Sequence, residues 1–146
     1  MVPTKLVLTR VWLCAVCSLA LGGVRAQSGS STVDCIPVQR VDRTEVLDNR
    51  SIVFHMRGRE AFLNQLERDC PGLDREKRFM YEVKSAQLCT VDTISVLEDW
   101  GVGLAKGFTC PLGPFQKVSE DELADLRAET QRLSDDDRPE TGRQQR

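Results

Sequence analysis

Four cysteines, Cys35, Cys70, Cys89 and Cys110, run through the middle of a 146-residue chain. Whether they are thiols, metal ligands or disulfides decides what that middle can fold into. The first 26 residues supply the compartment. Lys5 and Arg10 precede an apolar stretch, Val11 to Val24, and Val24-Arg25-Ala26 sets compact residues three before and one before a cut at Gln27. This is the three-part pattern of a secretory signal peptide. The stretch is shorter than the ~20 residues a spanning helix needs, so no stable membrane insertion is expected after cleavage. Cys14 and Cys17 form a CxxC pair, but inside the segment that is removed. Neither follows a small residue with leucine three places before it, so lipid anchoring is not expected.

An even number of cysteines in an exported domain reads as disulfides. Four allow three connectivities, and spacing does not choose among them. A nested pattern, Cys35–Cys110 with Cys70–Cys89, is the expectation because it ties the ends of the core together. One such bridge is worth on the order of 3 kcal/mol, a large term for a small domain. A four-cysteine zinc site would want a close CxxC pair, which the chain after residue 26 lacks.

Removing residues 1–26 takes away three basic and no acidic side chains, leaving 17 basic against 22 acidic and a net charge of −5. Residues 119–146 hold nine of the acidic and five of the basic groups, so the rest is close to neutral. That balance removes the electrostatic case for nucleic-acid binding. The organisation read from these shifts is a signal peptide (1–26), a flexible polar leader (27–32), a β-rich core (33–118), an acidic amphipathic helix (119–134) and a disordered tail (135–146).

Within the core, Ile52, Phe54 and Met56 alternate with Val53 and His55, and Ala61 to Leu66 follow after Arg57-Gly58-Arg59-Glu60. A two-residue loop at Gly58-Arg59 of type II′ places Met56 opposite Ala61, Phe54 opposite Leu63, and Arg57 opposite Glu60. Asp48-Asn49 marks a turn after a strand at 44–47. Further strands are expected at 79–83, 93–97 and 115–118, with turns at Cys70-Pro71-Gly72 and Gly113-Pro114. Five or six short strands with one apolar face predict a small antiparallel barrel or rolled sheet. In the tail, Ser119-Glu120-Asp121-Glu122 is a capping box with Val118 and Leu123 as a hydrophobic staple. Leu123, Leu126, Thr130 and Leu133 then line one face of a helix. That face either docks on the core or binds a partner.

Catalytic and cofactor patterns are sparse. His55 is the sole histidine, and the hairpin sets it across from Phe62 on the face away from Ile52 and Phe54. Neither GxSxG nor HExxH occurs. Gly101 to Gly107 has Gly-x-Gly, but its third glycine comes one place late and Lys106 precedes rather than follows a Walker glycine. It reads as a flexible loop between strands. Glu98-Asp99 beside Trp100 is a weak sugar-binding pattern, since adjacent strand residues point to opposite faces. Asp135 to Asp137 lacks the spacing of a calcium loop. Arg75, Lys77 and Arg78 interleave with Asp74 and Glu76 as a solvated turn. No cofactor and no metal site is expected, and no catalytic residue is assigned.

The blocks TEVLDNRSIVFHMRGREAFLNQL (44–66), CPGL (70–73), LCTVDTISVL (88–97) and CPLGPFQKV (110–118) resemble a family of small exported proteobacterial proteins classed as a domain of unknown function. The resemblance covers residues 34–118 and takes in all four core cysteines. It implies an exported bacterial β-rich domain with paired cysteines, and it carries no activity, ligand or catalytic residue. The expected function is a non-enzymatic binding or interaction domain of the cell envelope, periplasmic or secreted, with an envelope protein or component as partner. The alternative is a small hydrolase or inhibitor-like protein with a cleft around His55, Phe62 and Trp100.

Overall fold

The computed structural model describes residues 31–83 and 85–136. In chain order the strands are β1 (Thr32–Val33), β2 (Cys35–Pro37), β3 (Val41–Val46), β4 (Ser51–Met56), β5 (Ala61–Gln65), β6 (Phe79–Tyr81), β7 (Gln87–Cys89), β8 (Thr93–Asp99), β9 (Leu104–Pro111) and β10 (Phe115–Val118). A 3₁₀ turn spans Val38–Arg40, a short helix α1 spans Leu73–Glu76, and a longer helix α2 spans Glu120–Asp136. The signal peptide, its CxxC pair, leader residues 27–30 and tail residues 137–146 lie outside the described residues.

All strand pairs are antiparallel. They form a five-stranded sheet in the order β1-β10-β5-β4-β3, a two-stranded sheet β2-β7 and a three-stranded sheet β6-β8-β9. The mainly-β expectation holds, but no closed barrel is found among the described residues. The reason lies in β4, where Ile52, Val53, Phe54, His55 and Met56 are all buried. A sheet buried on both faces is covered by separate layers instead of curling around one apolar side. On one side Ile52, Phe54 and Met56 meet Ile36, Leu88, Ile94 and Val96 from the other two sheets and Phe115 from β10 of their own. Phe54 contacts Phe115 edge-on, with ring centroids 5.5 Å apart. On the other side Val53, Ala61, Leu63 and Val118 carry α2 through Leu123, with Leu126 packed beside them.

The central hairpin forms, but one residue out of the expected register. Phe54 faces Phe62, Val53 faces Leu63 and His55 faces Ala61, and the Met56 N–H donates to the Glu60 carbonyl at 2.8 Å. The connection therefore holds three residues, and both Gly58 (φ 99°) and Arg59 (φ 72°) have positive φ, where a type II′ turn asks that of the first alone. Glu60 pairs with Arg40 (2.9 Å) and Lys117 (2.7 Å) rather than with Arg57.

The disulfides also differ from expectation: they join Cys35 to Cys89 and Cys70 to Cys110. Cys35 and Cys89 are direct partners across β2 and β7, so strand pairing alone brings them within bonding range. Cys70 and Cys110 sit in the main core, where the Cys70-Pro71-Gly72 turn leads into α1 under β8. Leu104 to Pro111, read as loop up to Gly107, is strand, and the irregular connection between β8 and β9 is Trp100 to Gly103. Thr32, read as leader, pairs with Gln116 in β1. Arg75 and Lys77 fall on or just after α1, where Lys77 Nζ donates to the Val46 (3.2 Å) and Leu47 (3.1 Å) carbonyls and pairs with Asp74.

Candidate functional site

Two places concentrate polar or apolar groups in unusual settings. The first lies between β4, β3 and α2. His55 projects from the helix-facing side of β4 and is buried. Its Nε2–H donates to Glu45 Oε2 at 2.9 Å, and Glu45 is gripped from the far side by Arg127 of α2. Arg127 Nε donates to Oε1 at 2.8 Å and its second nitrogen to Oε2 at 2.6 Å, a bidentate fork. The guanidinium, and after it the His55 N–H, outweigh the desolvation of the carboxylate and hold the Glu45 pKa down to about 2. The same fork raises Arg127. A cleft of about 280 Å³ opens beside the pair, lined by Glu45, Leu47, Arg127, Thr130 and Gln131. The Arg127 fork is taken up by Glu45, and the Thr130 hydroxyl donates to the Leu126 carbonyl at 2.9 Å. The arrangement fastens α2 to the sheet.

The residues proposed for a catalytic cleft do not meet. Phe62 packs into the main core on the opposite side of the sheet from His55, and Trp100 follows β8 in a different sheet. Among the described residues, no cluster of three or more His, Cys, Asp or Glu side chains is placed to hold a metal. On α2, the capping box is present: Glu122 Oε2 accepts from the Ser119 N–H at 2.8 Å, and the Glu122 N–H donates to Ser119 Oγ at 3.3 Å. Leu123 is fully buried, Leu126 is half-buried and Leu133 is exposed. The leucine stripe thus docks on the sheet at its N-terminal end, and Leu133 alone of the three faces solvent.

The second place is the β8–β9 hairpin. Trp100 is 69 % exposed, Val102 97 %, Leu104 54 % and Phe108 58 %. Among the described residues β9 has no partner beyond β8, so it is an edge strand, and the pairing shifts register between Ser95 and Leu97 of β8. Gly107 and Phe108 together oppose Val96, a bulge of the kind that turns an edge away from unwanted strand pairing. Ser95 and Thr109 hydroxyls bond across the pair at 2.8 Å, so the base of the hairpin is tied down while its outer end carries the apolar side chains. A hollow of about 310 Å³ lies along it, lined by Glu98, Gly107 and Phe108. The aromatic and glycine residues of Trp100 to Phe108 were visible in the sequence. Their exposure was not, because it depends on β9 being an edge.

The fold and its surface define a disulfide-linked, mainly antiparallel β domain with a helix docked on one sheet and an exposed apolar hairpin on another. No protein-family model, curated protein or solved structure matches the chain. No helix among the described residues is long and apolar enough to cross a membrane.

Proposed function

We propose that the chain is an exported bacterial binding domain of the cell envelope, and that the β8–β9 hairpin is its contact surface. The observation that carries this reading is the exposure of Trp100, Val102, Leu104 and Phe108 on one hairpin. Single exposed apolar residues are ordinary; several together, with an aromatic anchor, mark an interaction site. Two disulfides fit a periplasmic or secreted setting. The proteobacterial resemblance of residues 34–118 fits the same setting. A hydrolase centred on His55 has no comparable support, because that side chain is buried and bonded to a carboxylate already held by Arg127.

The test is capture from an envelope extract by the immobilised exported protein, against a variant carrying Trp100→Ser and Val102→Ser. Both positions are exposed, so the variant folds. A partner retained by the natural chain and lost by the variant supports the reading. Equal capture by both, or none by either, overturns it.

A further inference from the structure

We infer that the hollow on the β8–β9 hairpin recognises a basic side chain, arginine or lysine, presented by the partner polypeptide. The inference rests on the hairpin being the contact surface and names what that surface selects.

The neighbouring charges are engaged. Asp99 lies 3.8 Å from Arg78 and accepts from the Gly101 N–H at 2.9 Å, and Lys106 lies 3.4 Å from Glu82. Glu98 differs: among the described residues its carboxylate makes no hydrogen bond and no ion pair. It lies against the backbone of Gly107, where an added Cβ would stand 2.5 Å from Glu98 Oε1. The bulge and the missing side chain at Gly107 therefore make room for the carboxylate, and the same bulge sets Phe108 on the wall of the hollow.

A carboxylate with no counter-ion among the described residues, beside an exposed aromatic ring, fits one class of group well. A cation satisfies the carboxylate and is attracted by the face of the ring. An anion would be repelled by Glu98, and a neutral apolar group would desolvate the carboxylate without replacing its water. The volume of about 310 Å³ admits a guanidinium and part of its stem. Trp100, two residues along from Glu98 and exposed, suits a segment in which the basic residue has an apolar neighbour.

The test uses a capped pentapeptide of leucine and serine around a central arginine, and its counterpart with neutral citrulline. Amide shifts of Glu98, Gly107 and Phe108 are followed by NMR in the exported protein. The arginine peptide is expected to shift these amides and to bind about three- to tenfold more tightly than the citrulline one, the scale of one exposed ion pair plus a cation–π contact. Glu98→Gln should abolish the difference. Gly107→Ala should reduce it, because Glu98 must swing away from the added methyl group. Equal binding of both peptides, or the same preference in Glu98→Gln, overturns the basic-side-chain assignment and leaves the hairpin as contact surface. Absence of any shift also overturns it. The fate of the contact-surface reading is then decided separately, by whether capture depends on Trp100 and Val102.

Discussion

Asn64 and Gly113 show how single residues hold this fold where no ladder runs. Asn64 is fully buried in β5, its Nδ2 donates to the Gly113 carbonyl at 2.6 Å, and its Oδ1 accepts from the Gly113 N–H at 3.1 Å. The carboxamide thus acts as an extra peptide group, satisfying both main-chain atoms of a loop that would otherwise be buried unpaired. Gly113 is needed for closeness, since a Cβ there would collide with the Gln65 carbonyl oxygen. Two expectations follow from these contacts. Asn64→Ala strands a donor and an acceptor and should lower stability by about 2–4 kcal/mol. Gly113→Ala forces rigid backbone apart and should cost at least about 2 kcal/mol. Urea denaturation of each variant measures the loss, and a change below ~0.5 kcal/mol in either would show that the loop yields freely. The break between strands at Gly113-Pro114 was legible from the sequence. The partner of Asn64 was not, because it lies far along the chain and a buried asparagine in a strand has no local signature.

The elements were easier to read than their faces. Strands at 51–56 and 115–118 and the capped helix from Ser119 follow from alternation and capping chemistry, both local. The hairpin register does not, because β4 is apolar on both sides: Ile52 and Phe54 face one core, Val53 the other. Sliding the pairing by one residue exchanges those faces, and periodicity offers nothing to choose between them when both are buried. What selects the observed register is α2, which needs Val53, Ala61 and Leu63 together beneath Leu123. That docking is reinforced by Arg127 on Glu45. Glu45 has its pKa lowered to about 2 from an ordinary 4.5, so its contribution is fully present above about pH 4.5 and is lost as pH falls toward 2. Arg127 is 38 % exposed, so solvent screening reduces the contribution to on the order of 1–2 kcal/mol. Glu45→Gln should therefore destabilise α2 at pH 7 and flatten the acid limb of the stability curve. Hydrogen exchange of the α2 amides at pH 7, 4 and 2.5 reads both effects. Parallel acid limbs in the natural and variant proteins would remove Glu45 from this role.

At the scale of the whole molecule, one of the two disulfides, Cys70–Cys110, joins parts of the chain that strand pairing leaves separate. Among the described residues no strand pairing links the five-stranded, two-stranded and three-stranded sheets, so their union depends on side-chain packing, on hydrogen bonds outside the ladders and on a covalent bond. Cys35–Cys89 lies within the two-stranded sheet, whereas Cys70–Cys110 ties the segment after β5 to β9. The nested alternative was reasonable from chain order, but connectivity follows the strand partners, and the pairing of β2 with β7 has no signal in three-residue strands. The two bonds close spans of 54 and 40 residues, so chain entropy values them almost equally, at about 4 kcal/mol each. Packing separates them. Cys70 and Cys110 are buried among Leu73, Ile94 and Leu112, while Cys35 and Cys89 are half-exposed. Replacing Cys70 and Cys110 with alanine should therefore cost about 1–2 kcal/mol more than replacing Cys35 and Cys89, the excess being the cavity left in the core. Thermal denaturation of the two double variants compares them directly. Equal losses would mean that loop closure alone sets the value of each bond, and a larger loss at Cys35–Cys89 would make β2 and β7 the cornerstone on which the main core depends.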